Sequence, residues 1–477
     1  PTLTPPGWTT LMTGARHGTH GITDFHIRKP GAPLAESEWG INTDLCKAEY
    51  LWNTAERCGK TPILVKWEMS WPPTVTKDIQ VEGTGPGVSN CCQIAGYHLF
   101  ATRDYEGYQV GGEKDVEEVD PSALQGSDVI DWVAPQSAQN WENLPESQRP
   151  PLEVELLMRP LVRGRPGMLR GKEGTPKTYY ALLYAQGDQS YDSVIVAPTR
   201  DAETAFASLA RGQWSSWWRD SFVIDGVPVD GSVRCKLINL SPDGQHFEHF
   251  FPQIWPITGY TFPDDIAQEI HAHVGPFLQN PGRDALGFID DDTYFELLED
   301  HHACLADTAL LLTQNYDWDL LFTETHASDY ASHFFLRLAD ATSGAEPHII
   351  ERCYQGLVRT YQSIDKWVGR LMTIANDDTV IAILSDHGGT PDKHRRVSVE
   401  EVLVQAGLLV LETDGTTGQQ IVNWSETRAA PLGLCDVFVN LQGREPDGIV
   451  AAEDYAITQR EVIDAILDYR DYDTGQR

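Results

Sequence analysis

Residues 379–389 read TVIAILSDHGG, an apolar run that ends in an acid, a histidine and two glycines. An unbroken apolar run of this kind is typical of a strand that is buried on both faces of a parallel sheet. Residues 319–323 (DLLFT) form a second such run, and residues 294–313 and 349–375 have the apolar periodicity of long helices. Because strands alternate with helices here, the sequence predicts an α/β core whose mostly parallel sheet is flanked by helices.

The middle of the chain, from about residue 152 to residue 262, has short β-like runs in place of long helical patterns. Turn signals such as Asp225-Gly226 and Asp243-Gly244 separate these runs. We therefore expect a mainly β cap domain inserted into the α/β core. The expected division is residues 1–60 for the first part of the catalytic core, 61–285 for the inserted cap and substrate region, and 286–477 for the second part of the core.

The charge of the chain narrows the choice of partners. Its 477 residues include 36 basic and 70 acidic side chains, which give a formal net charge of −34. A surface this acidic repels duplex nucleic acid, and no apolar run approaches the ~18–20 residues that a membrane helix needs. The eight cysteines include no CxxC spacing, which disfavours a zinc ribbon or a thioredoxin-like site. The sequence favours a small-molecule partner and indicates neither an oligomeric state nor a localisation.

A threonine precedes two prolines near the start of the chain, in Thr4-Pro5-Pro6. Proline suits the first turn of a helix, where its missing N–H costs nothing, so we expect Thr4 at or just before the N-cap. Its hydroxyl would then face the positive end of the helix dipole, which favours a phosphate. Taken alone, a threonine in this position is more often a simple helix cap.

Two acid–histidine pairs are the other candidates for chemistry. Asp329 and His333 have the i, i+4 spacing that places both on one helical face, where they could share one cation or form a surface ion pair. Asp386 and His387 follow the apolar run at 379–384, and the carboxyl ends of parallel strands are where open α/β sheets build their sites. In isolation this pair could also be a polar strand exit. His326 lies three residues before Asp329 and could line the site that contains Asp329.

The hydroxyl and the two pairs are together the parts that two-metal phosphoryl transfer requires. One cation would activate the nucleophile, and the other would polarise the phosphoryl oxygen. We therefore expect the side chains of Thr4, Asp329, His333, Asp386 and His387 to converge on one pocket at the carboxyl ends of the core strands.

Several motifs resemble the alkaline phosphatase superfamily, in particular the type I phosphodiesterase/nucleotide pyrophosphatase branch and its prokaryotic phosphohydrolase/phosphomutase-like group. They are PTLTPPGWTTLMTG at 1–14, HGITDF at 20–25, SWPPT at 70–74, IQVEGTGPGVSN at 79–90, SDHGG at 385–389 and GREPDGIV at 443–450. The resemblance implies that Thr4 is the nucleophile and a metal ligand. It also implies that Asp386 and His387 hold the metal beside Thr4, and that Asp329 and His333 hold the other.

The resemblance implies a metal-dependent phosphohydrolase that cleaves phosphodiesters or nucleotide-like esters through a phosphothreonine intermediate. Mixed acid and histidine ligands favour two zinc ions, with manganese or iron as alternatives. A phosphonate hydrolase or a phosphomutase on the same core remains open. A metal-free binding protein without catalytic activity is an alternative of another class.

Two ligands of the family pattern have no clear counterpart in this sequence. They are a metal-binding aspartate on a strand upstream of the nucleophile and a histidine near the end of the core. His394 is a weak substitute for the latter. Because the chain starts at Pro1 without a methionine and stops just after a helical pattern, we expect it to be truncated at both ends, with these two ligands outside it.

Overall fold

A computed structural model describes residues 3–84, 94–103, 129–162, 172–281, 289–391, 397–434, 436–470 and 475. The chain forms two compact units. The first consists of Pro1–Thr54, Leu384–Gly388 and Lys393–Arg477, and the second of Ala55–Ile383 and Gly389–Asp392. His394 and residues 85–90 of the IQVEGTGPGVSN motif lie outside the described residues.

The helices of the described residues range from single turns to two long helices near the middle of the chain. They are α1 (Thr4–Thr13), α2 (His17–His20), α3 (Leu51–Arg57), α4 (Ile266–His273), α5 (Asp291–Asn315), α6 (Ala327–Ala331), α7 (Arg337–Ala339), α8 (Pro347–Leu371), α9 (Val399–Gln405) and α10 (Tyr455–Asp468). None of these helices is both long enough and apolar enough to cross a membrane.

The strands of the described residues are mostly short. They are β1 (His26–Arg28), β2 (Ser37–Trp39), β3 (Pro62–Val65), β4 (Ile79–Val81), β5 (His98–Ala101), β6 (Val129–Trp132), β7 (Gln136–Ser137), β8 (Leu152–Met158), β9 (Leu161–Val162), β10 (Lys172–Glu173), β11 (Lys177–Tyr184), β12 (Ser193–Ala197), β13 (Ala207–Ala210), β14 (Trp218–Ile224), β15 (Val227–Val233), β16 (Lys236–Leu240), β17 (Phe247–Phe251), β18 (Trp255–Pro256), β19 (Thr261–Phe262), β20 (Leu320–Thr323), β21 (Leu411–Thr413), β22 (Gln420–Val422), β23 (Ala429–Leu432) and β24 (Asp436–Val439).

A four-stranded sheet with the order β19-β4-β3-β20 in the second unit contains two parallel pairs. Strand β3 pairs in parallel with both β4 and β20, and β19 pairs antiparallel with β4. Ile63, Val65 and Val81 are fully buried and belong to one apolar cluster with side chains of α4, α5 and α8. The three parallel strands therefore end at one edge of the sheet, and the residues after them are neighbours.

Antiparallel sheets dominate the middle of the chain. A five-stranded sheet has the order β13-β12-β11-β8-β7, a three-stranded sheet the order β14-β15-β18, and a four-stranded sheet the order β16-β17-β5-β6, in which β5 and β6 are parallel. Their inner faces share a cluster that includes Leu156, Tyr179, Val196 and Phe251. The fold is a mixed α/β architecture with several sheets, and the assignment of this region to an inserted cap stays a prediction.

Most helices and strands that the sequence predicts are confirmed. The helices expected at 294–313 and 349–375 are α5 and α8, and the strand expected at 319–323 is β20. Helix α5 begins at Asp291, three residues before the predicted start, because Asp290 accepts a hydrogen bond from the Thr293 amide at 2.9 Å and two acids follow in the first turn.

The buried strand expected at residues 379–384 is wrong. These residues form no strand, and Val380 and Ile383 are 91% and 79% exposed. An apolar run becomes a buried strand only where a neighbouring backbone offers hydrogen bonds and covers its side chains. Within the described residues, the sheet ends at β20 and no strand pairs with this run.

Candidate active site

Thr4 is the first residue of helix α1, and Leu3 is the N-cap, without a side-chain capping bond. The prediction that Thr4 lies at or just before the N-cap is therefore off by one residue. Pro5 and Pro6 fill the rest of the first turn, and the first helical hydrogen bond of this turn runs from the Gly7 amide to the Leu3 carbonyl at 2.9 Å. Because proline can occupy only the first turn without losing a bond, the helix begins as early as Thr4.

The side chain of Thr4 points to His387. Thr4 Oγ1 lies 3.3 Å from His387 Nε2, although the two residues are 383 positions apart. The same nitrogen lies 3.2 Å from Asp386 Oδ2, and the side chains of His387 and Asp386 are only 14% and 13% exposed. The first unit thus brings together a hydroxyl, an imidazole and a carboxylate at hydrogen-bond distances.

Gly7 permits this close approach of α1 to the SDHGG segment. A Cβ atom at Gly7 would lie 2.9 Å from the backbone oxygen of Asp386 and 3.0 Å from its Cβ. These separations are shorter than van der Waals contact, and a backbone atom cannot rotate away. A glycine in this turn of α1 is therefore a packing requirement of the site.

Gly7→Ala should destabilise the protein by about 1–3 kcal/mol, the usual range for overpacking. An alanine in an unstrained helix would instead stabilise by about 0.5–1 kcal/mol. Gly18→Ala, in helix α2, is the matched control because a Cβ there meets nothing within 4 Å. Urea unfolding of both variants checks the prediction, and a Gly7→Ala protein as stable as Gly18→Ala would contradict the described packing.

The second acid–histidine pair lies in the second unit. Asp329 belongs to α6, and His333 lies in the π-helical turn Ser332–Leu336 that continues it. His333 Nε2 is 3.6 Å from Asp329 Oδ1, and the two side chains are 43% and 30% exposed. The predicted placement on one helical face is confirmed. Gly389 packs beside this segment, since a Cβ there would lie 3.0 Å from Ser332 Oγ.

A buried charged network follows the parallel strands of the second unit. Glu68, Glu324 and His326 offer ligand atoms within 4.8 Å of one another, so this group could hold a metal ion. Lys66 already lies within it, with its Nζ 3.0 Å from Glu324 Oε2, and the second oxygen of Glu324 lies 2.7 Å from His326 Nδ1. Since the ammonium and the imidazole occupy both oxygens of Glu324, we interpret the group as an ion network, named here the strand-end network.

In the strand-end network, the neighbouring charges shift the pKa values of Glu324 and His326 in the direction opposite to burial. Burial by itself would raise the pKa of Glu324, but the charges of Lys66 and His326 lower it well below its usual range. Burial would likewise lower the pKa of His326, but the carboxylates of Glu324 and Glu68 raise it to about 10. Each group keeps its charge only because oppositely charged partners are present.

The backbone is also unusual at this edge of the sheet. Lys66 has φ of 51° directly after β3, and Glu82 has φ of 53° directly after β4. Left-handed conformations of residues other than glycine cost roughly 1–3 kcal/mol and cluster at functional sites. The carboxyl ends of the parallel strands are therefore constrained both by charge and by backbone geometry.

Sequence reasoning missed Glu68 and Glu324 and treated His326 as a marginal candidate. The available signal was their position, because Glu324 follows the apolar run at 319–323 directly and Glu68 comes three residues after β3. Acidic residues after buried strands are common, however, and the sequence does not show that these strands are neighbours. Asp329, His333, Asp386 and His387 lie where described above, and their role as metal ligands stays a prediction.

Comparison with known proteins defines the class of enzyme. A sequence model of a hydrolase family matches residues 1–151 and 188–477, which makes this protein a hydrolase that acts on phosphoric ester bonds. The chain belongs to the type I phosphodiesterase / nucleotide pyrophosphatase family. The family resemblance noted in the sequence is thus confirmed. No curated protein and no solved structure matched the chain.

Proposed function

We propose that this protein hydrolyses phosphodiesters or nucleotide-like phosphate esters through a phosphothreonine at Thr4. The observation that carries the proposal is the 3.3 Å distance between Thr4 Oγ1 and His387 Nε2, in a chain of a phosphodiesterase family. The core would be of the alkaline phosphatase type, with residues 61–285 as its cap. A hydroxyl is a weak nucleophile unless a neighbouring group favours its deprotonated form, and a cation held beside Thr4 would do so.

The donor atoms at the two acid–histidine pairs fit divalent cations. His387 offers a nitrogen donor, Nε2. Two oxygen donors lie near it, Thr4 Oγ1 at 3.3 Å and Asp386 Oδ2 at 3.2 Å. Asp329 and His333 offer one oxygen and one nitrogen 3.6 Å apart. Mixed carboxylate and imidazole ligands suit zinc, with manganese or iron as alternatives. A cation held by Thr4, Asp386 and His387 would supply positive charge that favours the Thr4 alkoxide.

The amino-terminal end of helix α1 would also help to bind the phosphoryl group. Pro5 and Pro6 have no N–H, so the amides of Leu3 and Thr4 are the donors that precede Gly7 at this end of α1. The positive end of the helix dipole adds to them, and both favour a phosphoryl group close to Thr4. The phosphorus atom would therefore be held close to the hydroxyl that attacks it.

The reaction proceeds in two displacements. Thr4 Oγ1 forms a bond to phosphorus while the bond to the leaving alcohol breaks, and the alcohol departs with a proton. A water molecule then attacks the same phosphorus atom, the bond to Thr4 Oγ1 breaks, and the threonine hydroxyl is restored. His387 Nε2 lies 3.3 Å from Thr4 Oγ1, so the imidazole fixes the position of the hydroxyl that attacks.

Elemental analysis of the purified protein should find two divalent cations per chain. His387→Ala and His333→Ala should each lose about one of them, because an imidazole is a major share of each proposed ligand set. His348→Ala is the matched control, since this histidine is exposed on α8 and should leave both cations bound. Rates on a phosphodiester, a phosphomonoester and a phosphonate ester complete the experiment.

Two outcomes would contradict the proposal. The first is a wild-type protein that contains no metal and whose rate on the diester does not respond to chelators. The second is loss of the same single cation in His387→Ala and His333→Ala, which would mean that the two pairs do not serve separate cations.

A further inference from the structure

The motif HGITDF at residues 20–25 has no part in the reaction proposed above. Its first residue, His20, is the last residue of helix α2 and is fully buried. The backbone amide of Ile22 donates to His20 Nδ1 at 3.1 Å, so this nitrogen carries no proton. Burial, together with the charge of His17, lowers the pKa of His20 to about 4. The ring is therefore neutral near neutral pH, and its proton is on Nε2.

His20 Nε2 donates its proton to a residue of helix α1, since it lies 3.1 Å from Thr10 Oγ1. Two other threonines of the helix form bonds within it, because the hydroxyls of Thr9 and Thr13 donate to the carbonyls of Pro5 and Thr9 at 2.7 Å. Such bonds do not attach the helix to its surroundings. The bond from His20 does, because it joins α1 to a segment that follows it in the chain.

The segment that carries His20 is itself fixed by hydrogen bonds. The Lys47 amide donates to the His20 carbonyl at 2.9 Å, and the Leu434 amide donates to Asp24 Oδ2 at 2.7 Å. Asp24, like His20, is fully buried. Buried, hydrogen-bonded segments open less readily than exposed loops. The imidazole is thus attached to a firmly held part of the first unit, which makes it a suitable anchor for a helix.

Thr10 lies one turn beyond Gly7, and residues three apart in a helix are neighbours on its surface. Gly7 is the residue through which α1 packs closely against Asp386. A helix held at one point could still rotate about that point, and a second attachment one turn away prevents this. The rotation of α1 sets the position of its first residue, Thr4, whose hydroxyl lies 3.3 Å from His387 Nε2.

We propose that His20 is a positioning residue for Thr4 and that it acts through its hydrogen bond to Thr10. The proposal rests on the proposed function of Thr4 as the nucleophile. Without this bond, α1 would adopt several rotations, and the Thr4 hydroxyl would be in line with the phosphorus atom for less of the time. Loss of the bond should slow the attack by Thr4, because a misplacement of about 1 Å can cost about a hundredfold in rate.

Single-turnover release of a chromogenic alcohol from a phosphodiester, with the enzyme in excess, tests the proposal. Raising the enzyme concentration until the rate constant stops changing removes the effects of weaker substrate binding and of partial unfolding. Thr10→Val should lower this rate constant by about tenfold or more, and Thr10→Ser, which keeps the hydroxyl, should stay within about threefold of the wild type. Thr13→Val is the matched control and should react at the wild-type rate, since the hydroxyl that it removes bonds within the helix.

A double variant assigns the effect to His20. The rate constants of His20→Ala and of Thr10→Val/His20→Ala should agree within about twofold, because the bond is absent from both proteins. The proposal is overturned if Thr10→Val slows the His20→Ala protein by the same factor as it slows the wild type, since Thr10 would then act independently of His20.

The same assay on Thr4→Ala separates this proposal from the proposed function. Release of the alcohol at the wild-type rate by Thr4→Ala would mean that Thr4 is not the nucleophile, and it would overturn both. If Thr4→Ala is far slower than the wild type while Thr10→Val reacts at the wild-type rate, Thr4 remains the nucleophile and the positioning role of His20 is wrong. A Thr10→Ser protein as slow as Thr10→Val would also contradict that role, because the hydroxyl would not be the group that matters.

Discussion

Thr4→Ala should reduce turnover of a chromogenic phosphodiester by orders of magnitude and leave the melting temperature nearly unchanged. The nucleophile creates a reaction step, and each ~1.4 kcal/mol of lost transition-state stabilisation lowers the rate tenfold. The structure gives no reason for a large loss of stability, because α1 begins without a side-chain capping bond and Thr4 is only partly buried. A Thr4→Ser protein keeps the hydroxyl and should retain part of the activity.

Thr13→Ala is the matched control for this experiment. Thr13 lies at the other end of the same helix, and its hydroxyl donates to the Thr9 carbonyl at 2.7 Å. The chemical change is identical, so a difference in rate reports the position of the hydroxyl. If Thr4→Ala and Thr13→Ala hydrolyse the diester at similar rates, Thr4 is not the nucleophile.

Lys66→Met should destabilise the protein by about 3–5 kcal/mol, the range expected when one partner of a buried ion pair is removed. Lys66 and Glu324 are buried, with side chains 7% and 3% exposed. Without the Lys66 ammonium, the buried Glu324 carboxylate would have to remain charged without this partner or take up a proton. Either change lowers the free energy of unfolding, and urea titration measures it.

The control for Lys66 is a lysine pair at the surface. Lys60 Nζ lies 2.8 Å from Asp319 Oδ1, but its side chain is 58% exposed. Water and salt screen such a pair, so Lys60→Met should have little effect on stability. The double variant Lys66→Met/Glu324→Gln should recover part of the loss, because it removes the unpaired charge. If Lys66→Met unfolds at the same urea concentration as Lys60→Met, the strand-end network does not stabilise the fold.

Helices and strands could be predicted from the sequence where a segment with a clear apolar pattern also has a neighbouring element to pack against or pair with. Helices α5 and α8 could be predicted because a long amphipathic period needs only one apolar surface to pack on. Strand β20 could be predicted because it lies beside β3 in a sheet with helices packed on it. The run at 379–384 has an equally apolar sequence, yet it lies exposed and unpaired by any described strand. Apolar character alone did not distinguish the two cases.

The candidate site was predictable only in part, for a related reason. Thr4 and the acid–histidine pairs stand in short motifs that a single sequence displays. The strand-end network is assembled from two strand exits, around Lys66 and Glu324, and only the pairing of β3 with β20 makes them neighbours.

The stereochemistry at phosphorus tests the central claim most directly. Each in-line displacement inverts the configuration at phosphorus, so attack by Thr4 followed by attack by water restores it. The experiment is hydrolysis of a chiral phosphorothioate diester in isotopically labelled water, with the configuration of the product determined by phosphorus NMR. Retention of configuration is the predicted result. Inversion would mean that water attacks phosphorus in a single displacement, and it would contradict a covalent role for Thr4.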